Sequence, residues 1–318
     1  MRTLKAALAL LIITLSFLSG QAQTRFDNLE FKQFSTPEGL PNSMVHQVYQ
    51  DRDGYTWIST FYGLFRYDGY EVRTYKSNLY TPGLLVNNNV ICVEEDYSHR
   101  LWIGTHEGLC VLDKQTGKMR KMKLEGISKH RLNEIHVTKD NKVYLGYIRG
   151  MACYNAELDT LELMTSKNCK GEVPEQINIQ TLLEDENGDL LIGTWQDGLF
   201  HYNIKENKFI HYPPLDESNS VLALFQDSKG ALWIGTSGSG LYKVNFSPDK
   251  KILSVEKAYK HDALNTLSLS SDYIYSIHED LQTHSLWLGT RNGVSIMDLT
   301  DEGKFIPRVG FRTLSACP

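Results

Sequence analysis

Six copies of one segment run through the chain, and this periodicity constrains the fold more than any other feature. The first copy reads Val48-Tyr49-Gln50-Asp51-Arg52-Asp53-Gly54-Tyr55-Thr56-Trp57-Ile58-Ser59-Thr60, followed by Gly63-Leu64 and Tyr67-Asp68. The second is Leu101-Trp102-Ile103-Gly104-Thr105 with Gly108-Leu109, and a worn third copy, Val143-Tyr144-Leu145-Gly146-Tyr147 with Gly150-Met151, has Tyr144 for Trp and Tyr147 for Thr. Leu190-Leu191-Ile192-Gly193-Thr194 is the fourth, and Leu232-Trp233-Ile234-Gly235-Thr236 and Leu286-Trp287-Leu288-Gly289-Thr290 restore the tryptophan. Anchors at 57, 102, 144, 191, 233 and 287 are spaced by about 42 to 54 residues, the period of four-stranded propeller blades.

Each copy reads as four strands. Apolar alternation, as at Val45 and Val48 or Ile274 and Ile277, makes strand A, and an Asp-rich turn leads into strand B with its Trp-Ile-Gly-Thr core. Two or three variable residues and a Gly close the B–C turn, strand C ends at Tyr-Asp or Tyr-Asn, and strand D follows, as at 71–75 or 208–212. One such sheet cannot bury both faces alone, so blades must pack around an axis. The expected fold is therefore all-β, a β-propeller of four-stranded antiparallel blades near 45–75, 90–122, 135–164, 179–212, 221–257 and 274–308, within a repeat region spanning 23–310.

Composition removes other classes. With 41% hydrophobic and 22% charged residues the chain is neither disordered nor a collagen or cysteine scaffold, and a net charge of -5 gives no reason to expect nucleic acid as a partner. Residues 1–22 carry Arg2 and Lys5, an apolar run from Ala6 to Leu18, and small residues at Gly20 and Ala22. That is the pattern of a cleaved secretory signal peptide with Gln23 as the new N-terminus, and the run is short for an uncleaved bilayer span of about 20 residues. No later stretch approaches that apolar length, so an exported chain with no membrane span after the signal peptide is expected. Cys92, Cys110, Cys153, Cys169 and Cys317 are too scattered for a disulfide framework, and Cys92 and Cys110 sit in apolar strands as small hydrophobes.

The pattern Asp-x-x-Gly-x-x-Trp-Ile-Gly-Thr-x-x-Gly-Leu-x-x-Tyr-Asp resembles the two-component regulator propeller repeat, with coverage from about residue 26 to about 308. The opening Phe34-Ser35-Thr36-Pro37-Glu38-Gly39-Leu40-Pro41-Asn42-Ser43 is similar to the start of such sensors. This resemblance implies the N-terminal, periplasmic, ligand-sensing part of a Bacteroidetes hybrid two-component sensor. Such a module recognises a glycan fragment or another small periplasmic ligand and signals, through a homodimer in the full-length sensor, to a histidine kinase absent from this chain. On that reading these residues hold no enzyme. A carbohydrate-active propeller enzyme, a structural or interaction propeller, and a truncated nonfunctional remnant are the alternatives.

Phe31 to Phe34 has the pattern of a strand D with no strands A to C before it, so six copies plus that strand imply a seven-bladed ring completed beyond residue 318. The tail at 311–318 resembles no repeat, which reads as a fragment or frameshifted remnant of a longer sensor, against the rival of a complete six-bladed protein.

The repeat tryptophans Trp57, Trp102, Trp233 and Trp287 are expected to pack between blades, with Gly104, Gly193, Gly235 and Gly289 allowing close approach. Trp195 differs, because it stands in a B–C turn where no other copy has Trp. B–C turns and D–A connections emerge on one propeller face around the channel mouth. There Phe61, Tyr62, His106, Glu107, Arg149, Trp195, Gln196, Asp197, Arg291 and Asn292 are the candidate ligand-binding residues, in a set that also takes in Ile148, Ser237 and Ser239. Aromatic rings stack on sugar C–H faces, while Arg, Asp and Asn bind hydroxyls or carboxylates.

No catalytic residue, metal or cofactor is expected. Asp51-Arg52-Asp53-Gly54 lacks the spaced oxygens and closing Glu of a calcium loop, and adjacency of Asp53 and Gly54 breaks the spacing of a sialidase Asp box. The histidines show no His-Glu-x-x-His pairing, and neither a Gly-x-Ser-x-Gly turn nor a phosphate loop occurs. Paired carboxylates drawn from different blades stay open, because spacing does not reveal their proximity.

Overall fold

The computed structural model describes residues 44–77, 85–122, 131–213, 215, 220–247, 250, 253–300 and 304–305. The signal peptide expected at 1–22, the strand expected at Phe31–Phe34, Cys317 and the tail at 311–318 lie outside these residues. Six antiparallel sheets follow one another along the chain, each with its strands in sequence order from A to D. Blade 1 contains β1 (Val45–Gln50), β2 (Thr56–Thr60), β3 (Gly63–Tyr67) and β4 (Val72–Tyr75), and blade 2 contains β5 (Val90–Glu95), β6 (Arg100–Thr105), β7 (Gly108–Asp113) and β8 (Met119–Met122). Blade 3 is β9 (Leu132–Val137), β10 (Val143–Tyr147), β11 (Gly150–Asn155) and β12 (Thr160–Met164). After β13 (Lys170–Gly171) comes blade 4, with β14 (Ile179–Glu184), β15 (Leu190–Thr194), β16 (Leu199–Asn203) and β17 (Lys208–Tyr212). Blade 5 is β18 (Val221–Gln226), β19 (Leu232–Thr236), β20 (Leu241–Phe246) and β21 (Leu253–Tyr259), and blade 6 is β22 (Ile274–Asp280), β23 (Ser285–Thr290), β24 (Gly293–Asp298) and β25 (Lys304–Phe305). The short β13 runs parallel to β17 and covers the outer edge of blade 4, which an unpaired strand would otherwise leave open to pairing.

Consecutive A strands touch from β1 through β5, β9, β14 and β18 to β22, so the A strands gather about the axis and the D strands form the rim. Among the described residues the result is a β-propeller with six four-stranded antiparallel blades. No helix among the described residues is long and apolar enough to cross a membrane.

The core lies between blades. Trp57 packs in one cluster with Leu101 and Ile103 of blade 2, Trp102 with Leu132 and Val143 of blade 3, and Trp233 with Ile274 and Leu286 of blade 6. Tyr144 plays the same part against Ile179 and Ile192, and Leu191 against Val221 and Ile234. Each strand B anchor thus plugs into the next blade, and burying a side chain of this size is worth roughly 1.5–3 kcal/mol. The worn third copy packs as the others do. Trp287 is the exception, being only part-buried.

Glycine in strand B serves this packing. A Cβ at Gly235 would stand 2.8 Å from Ile274 Cγ2, and one at Gly193 would stand 2.6 Å from Val221 Cγ1, both on the next blade's strand A. A Cβ at Gly104 would meet Leu132 at 3.2 Å as well as its own blade's Cys92, whereas Gly289 meets only Ser276 of its own blade. Two expectations change here. Val45 and Val48 are 41% and 63% exposed, so the apolar alternation of β1 covers no core among the described residues, and the packing roles given to Trp287 and Gly289 are not filled by a neighbouring blade there.

The Asp-rich A–B turns have a common construction. In blade 5, Asp227 Oδ1 accepts the backbone N–H groups of Lys229 and Ala231 at 3.0 and 2.8 Å, while Oδ2 accepts the Trp233 indole N–H at 2.8 Å. Asp51 and Asp96 hold Trp57 and Trp102 the same way, each at 2.8 Å. The buried carboxylate therefore folds the turn with one oxygen and satisfies the interface tryptophan with the other.

Candidate functional site

The B–C turns form the face opposite these Asp turns. Immediately after each strand B, a backbone N–H reaches the carbonyl at the start of strand A in the same blade: Phe61 to Met44 (3.3 Å), His106 to Asn89 (2.9 Å), Ile148 to Arg131 (3.4 Å), Trp195 to Asn178 (2.8 Å), Ser237 to Ser220 (3.1 Å) and Arg291 to Tyr273 (3.1 Å). The threonine of the repeat then closes the turn. Thr60, Thr105, Thr194, Thr236 and Thr290 donate their hydroxyls to the carbonyls of Gly63, Gly108, Gly198, Gly240 and Gly293 at 2.7–3.0 Å. Variable side chains are thereby displayed on a fixed frame, the usual division between scaffold and binding loop.

All ten candidate residues are exposed on this face. Their aromatic surfaces fall in two groups three blades apart. On blade 1, Phe61 and Tyr62 are 44% and 51% exposed with ring centres 5.5 Å apart, and His46 stands 6.5 Å from Phe61. On blade 4, Trp195 is 40% exposed. Its turn is tied down on both sides: the Gln196 N–H donates to Ser220 Oγ of the next blade at 3.1 Å, and the Asp197 carbonyl accepts from His211 Nε2 at 2.7 Å. Gln196 adopts φ 73°, a left-handed conformation that a non-glycine residue rarely takes and that shapes the turn. Arg291 lies over the Tyr273 ring at 5.3 Å, and Asn292 donates to the Ser270 carbonyl at 3.3 Å.

Sequence reasoning did not name the polar residues that join neighbouring blades at this mouth. His46 Nε2 is 3.0 Å from Asn89 Oδ1, and Asn133 Nδ2 donates to Asn178 Oδ1 at 2.8 Å and to the Ile179 carbonyl at 2.7 Å. A usable signal was present, since asparagines stand at or just ahead of successive A strands. Farther along the axis, β5 and β9 carry Glu94 and Glu134. Burial pushes the Glu134 carboxyl up to about 8, and burial together with the charge of Glu134 raises Glu94 well above the usual carboxylate range.

On the opposite face, one group brings three metal-type ligands together. Asp185, Asp189 and His201 are all buried, and each offers a ligand atom within 4.8 Å of the others. No motif spacing in the sequence announces this group, because its residues occupy a turn and a separate strand.

A model of the two-component regulator propeller repeat matches residues 39–62, 84–107 and 216–238. Histidine kinase P4 of Formosa agariphila is 34% identical over 67 residues, covering 21% of this chain and 5% of that protein. Among solved structures, the extracellular domain assigned to a hybrid two-component system of B. thetaiotaomicron aligns over 85% of this chain and 35% of its own, at 24% identity and TM-score 0.68. A second B. thetaiotaomicron extracellular domain, assigned to a one-component system, aligns over 81% of this chain and 39% of its own, at 25% identity and TM-score 0.56. The fold is also that of a virginiamycin B lyase from Staphylococcus aureus, at 10% identity and TM-score 0.65 over 84% and 85% of the two chains. The chain therefore spans little more than a third of the sensor domains that it resembles. Three of the six copies are thus matched directly by the two-component regulator propeller repeat, and each of the six builds one blade among the described residues.

Proposed function

We propose that this chain is an exported sensor propeller, and that the face made by its B–C turns receives a glycan fragment whose binding is passed to a histidine kinase in the complete sensor. One observation carries the reading: six turns pinned by the same backbone bond display exposed aromatic and planar polar side chains at one face. Phe61, Tyr62 and Trp195 supply stacking surfaces, and Arg149, Arg291 and Asn292 supply planar donors for hydroxyl or carboxylate groups. Likeness to extracellular domains of bacterial sensors supports the signalling role and the location outside the cytoplasm. Signalling would follow from a ligand that favours one of two arrangements of the complete sensor.

The glycosidase alternative draws less support from the axis. Glycosidic cleavage uses one protonated and one ionised carboxyl group. Burial favours the neutral form of both Glu94 and Glu134, so it does not divide that pair into a proton donor and an ionised partner.

Calorimetric titration of the chain with a panel of short neutral and uronic-acid oligosaccharides tests the reading. Saturable binding by at least one oligosaccharide, weakened about tenfold or more by Trp195→Ala with unchanged circular dichroism, is the expected result, given stacking worth roughly 1–2 kcal/mol. Absence of binding across the panel, or binding that survives Trp195→Ala, Tyr62→Ala and Arg291→Ala together, would overturn it.

A further inference from the structure

Blade 4 departs from the repeat at three positions that meet in space. Where blades 1, 2 and 5 place tryptophan, it has Leu191, so Asp185 Oδ2 receives no indole N–H. Four residues beyond the turn aspartate it has Asp189, where the same blades have Tyr55, Arg100 and Ala231. On strand C, directly across from Leu191, it has His201.

The side chains left over converge. His201 Nε2 lies 3.4 Å from Asp189 Oδ2 and 3.8 Å from Asp185 Oδ2. His201 is 2% exposed, and neither ring nitrogen has a hydrogen-bond partner of good geometry among the described residues. A buried imidazole without such partners costs free energy, so its aim toward two carboxylates calls for a ligand. Both carboxylates are already oriented. Asp185 Oδ1 is held by the N–H groups of Asn187 and Asp189 at 2.8 and 3.1 Å, and Asp189 Oδ1 by the Ile204 N–H at 3.1 Å. Asn203 Nδ2 fixes Asp189 Oδ2 at 3.0 Å. This is the outer support that ligating carboxylates receive in metal sites.

We infer that Asp185, Asp189 and His201 form a site for one divalent transition-metal ion of the zinc class. Zinc ligands at about 2.0–2.2 Å stand roughly 3.3–3.6 Å apart in a tetrahedral shell, close to the two distances from His201 Nε2 to the carboxylates, 3.4 and 3.8 Å. One imidazole with two carboxylates suits zinc, cobalt or manganese better than calcium or magnesium, which take all-oxygen shells. A cleft of about 390 Å³ between blades 4 and 5, lined by Asp185, Leu191 and Lys250, opens beside the site. Lys250 Nζ contacts Asp185 Oδ2 in the structure, and it is the group that an incoming cation displaces. The ion would stabilise the interface of blades 4 and 5 where blades 1, 2 and 5 use an indole. This inference concerns the face opposite the proposed glycan site and stands or falls independently of it.

The test uses the whole chain, freed of metal with chelator, and cobalt(II) as a probe with visible absorption. One equivalent is expected to bind, to be displaced by zinc but not by calcium, and to raise the unfolding temperature, since a ligand of the folded state stabilises it. His201→Gln and Asp189→Asn should each weaken binding at least tenfold. Lys250→Met should tighten it about tenfold, a gain that misfolding cannot mimic. No saturable cobalt binding, unchanged affinity in His201→Gln, or a Lys250→Met variant that binds no tighter would each overturn the inference and leave a metal-free ion-pair network in its place.

Discussion

Blades 4 and 5 are built on the same turn and finished differently. Asp227 and Asp185 each use Oδ1 to accept two backbone N–H groups two and four residues ahead. Beyond that shared half, Asp227 turns its other oxygen to a buried tryptophan, while Asp185 turns it toward Lys250 and His201. Leu191 is nevertheless 2% exposed and packs into blade 5, so the interface survives without an indole. The repeat is thus two devices laid over one another. One folds the turn and the other plugs the next blade, and evolution of a single blade can alter the second without losing the first.

Replacing the turn aspartate separates the devices with the largest expected effect. Asp227→Ala strands a buried indole N–H and frees two turn amides, and each stranded group costs about 1–3 kcal/mol, so a loss of about 3 kcal/mol is expected in urea unfolding of the metal-free chain. Asp185→Ala frees the turn amides and the part-buried Lys250 ammonium, which reaches water more readily than a fully buried indole, so a loss of about half that is expected. Equal losses at the two positions would mean that the indole bond adds nothing and that the comparison between blades is empty.

Glycine comes next. A Cβ at Gly235 collides with Ile274 on the neighbouring blade at 2.8 and 2.9 Å, and a β-branched side chain in a packed strand cannot move aside cheaply. Gly235→Ala should cost about 2 kcal/mol. At Gly289 the clash is with Ser276 Oγ at 2.3 Å, the tip of a side chain that rotates away about one bond. A loss below about 1 kcal/mol is expected there, and a reversed order in the urea midpoints would refute the view that these glycines serve contact between blades.

Much of this was legible in the sequence, for identifiable reasons. Period, strand order and turn positions follow from a motif that repeats, and the ten surface candidates follow from knowing which ends of strands B and C meet. The chemistry of blade 4 was not legible, because Asp189 ends a turn, His201 lies on a strand, and the two carry no shared spacing. Only aligning the copies reveals that Leu191 vacates a tryptophan's place beside them. Strand β13 also went unforeseen, since two residues, Lys170 and Gly171, carry no periodic pattern. Exposure of Val45 and Val48 escaped for a third reason: alternation says that two side chains share a face, and not that anything covers it.

The finest distinction is between tryptophans that look identical in sequence. Trp233 is fully buried and gives its N–H to Asp227 at 2.8 Å, whereas Trp287 is part-buried and gives its N–H to the Ser285 hydroxyl at 3.1 Å. Register explains the change of partner, because Asp280 and Trp287 are separated by one residue more than Asp227 and Trp233, and the longer turn moves the carboxylate onto Thr283, whose hydroxyl it accepts at 2.7 Å. The lower burial goes with the place of Trp287 in blade 6, after which no further blade is described. Exchange for phenylalanine keeps an aromatic plug and deletes only the donor. Trp233→Phe leaves a buried carboxylate oxygen short of a partner and should cost about 1–2 kcal/mol. Trp287→Phe leaves a serine hydroxyl that already bonds Thr283 at 2.7 Å, so a change below about 0.5 kcal/mol is expected. Unfolding midpoints for the two variants decide the matter. Should Trp287→Phe cost as much as Trp233→Phe, the bond from the Trp287 indole to Ser285 would matter as much as the bond from Trp233 to Asp227, and the one-residue insertion would not have weakened it.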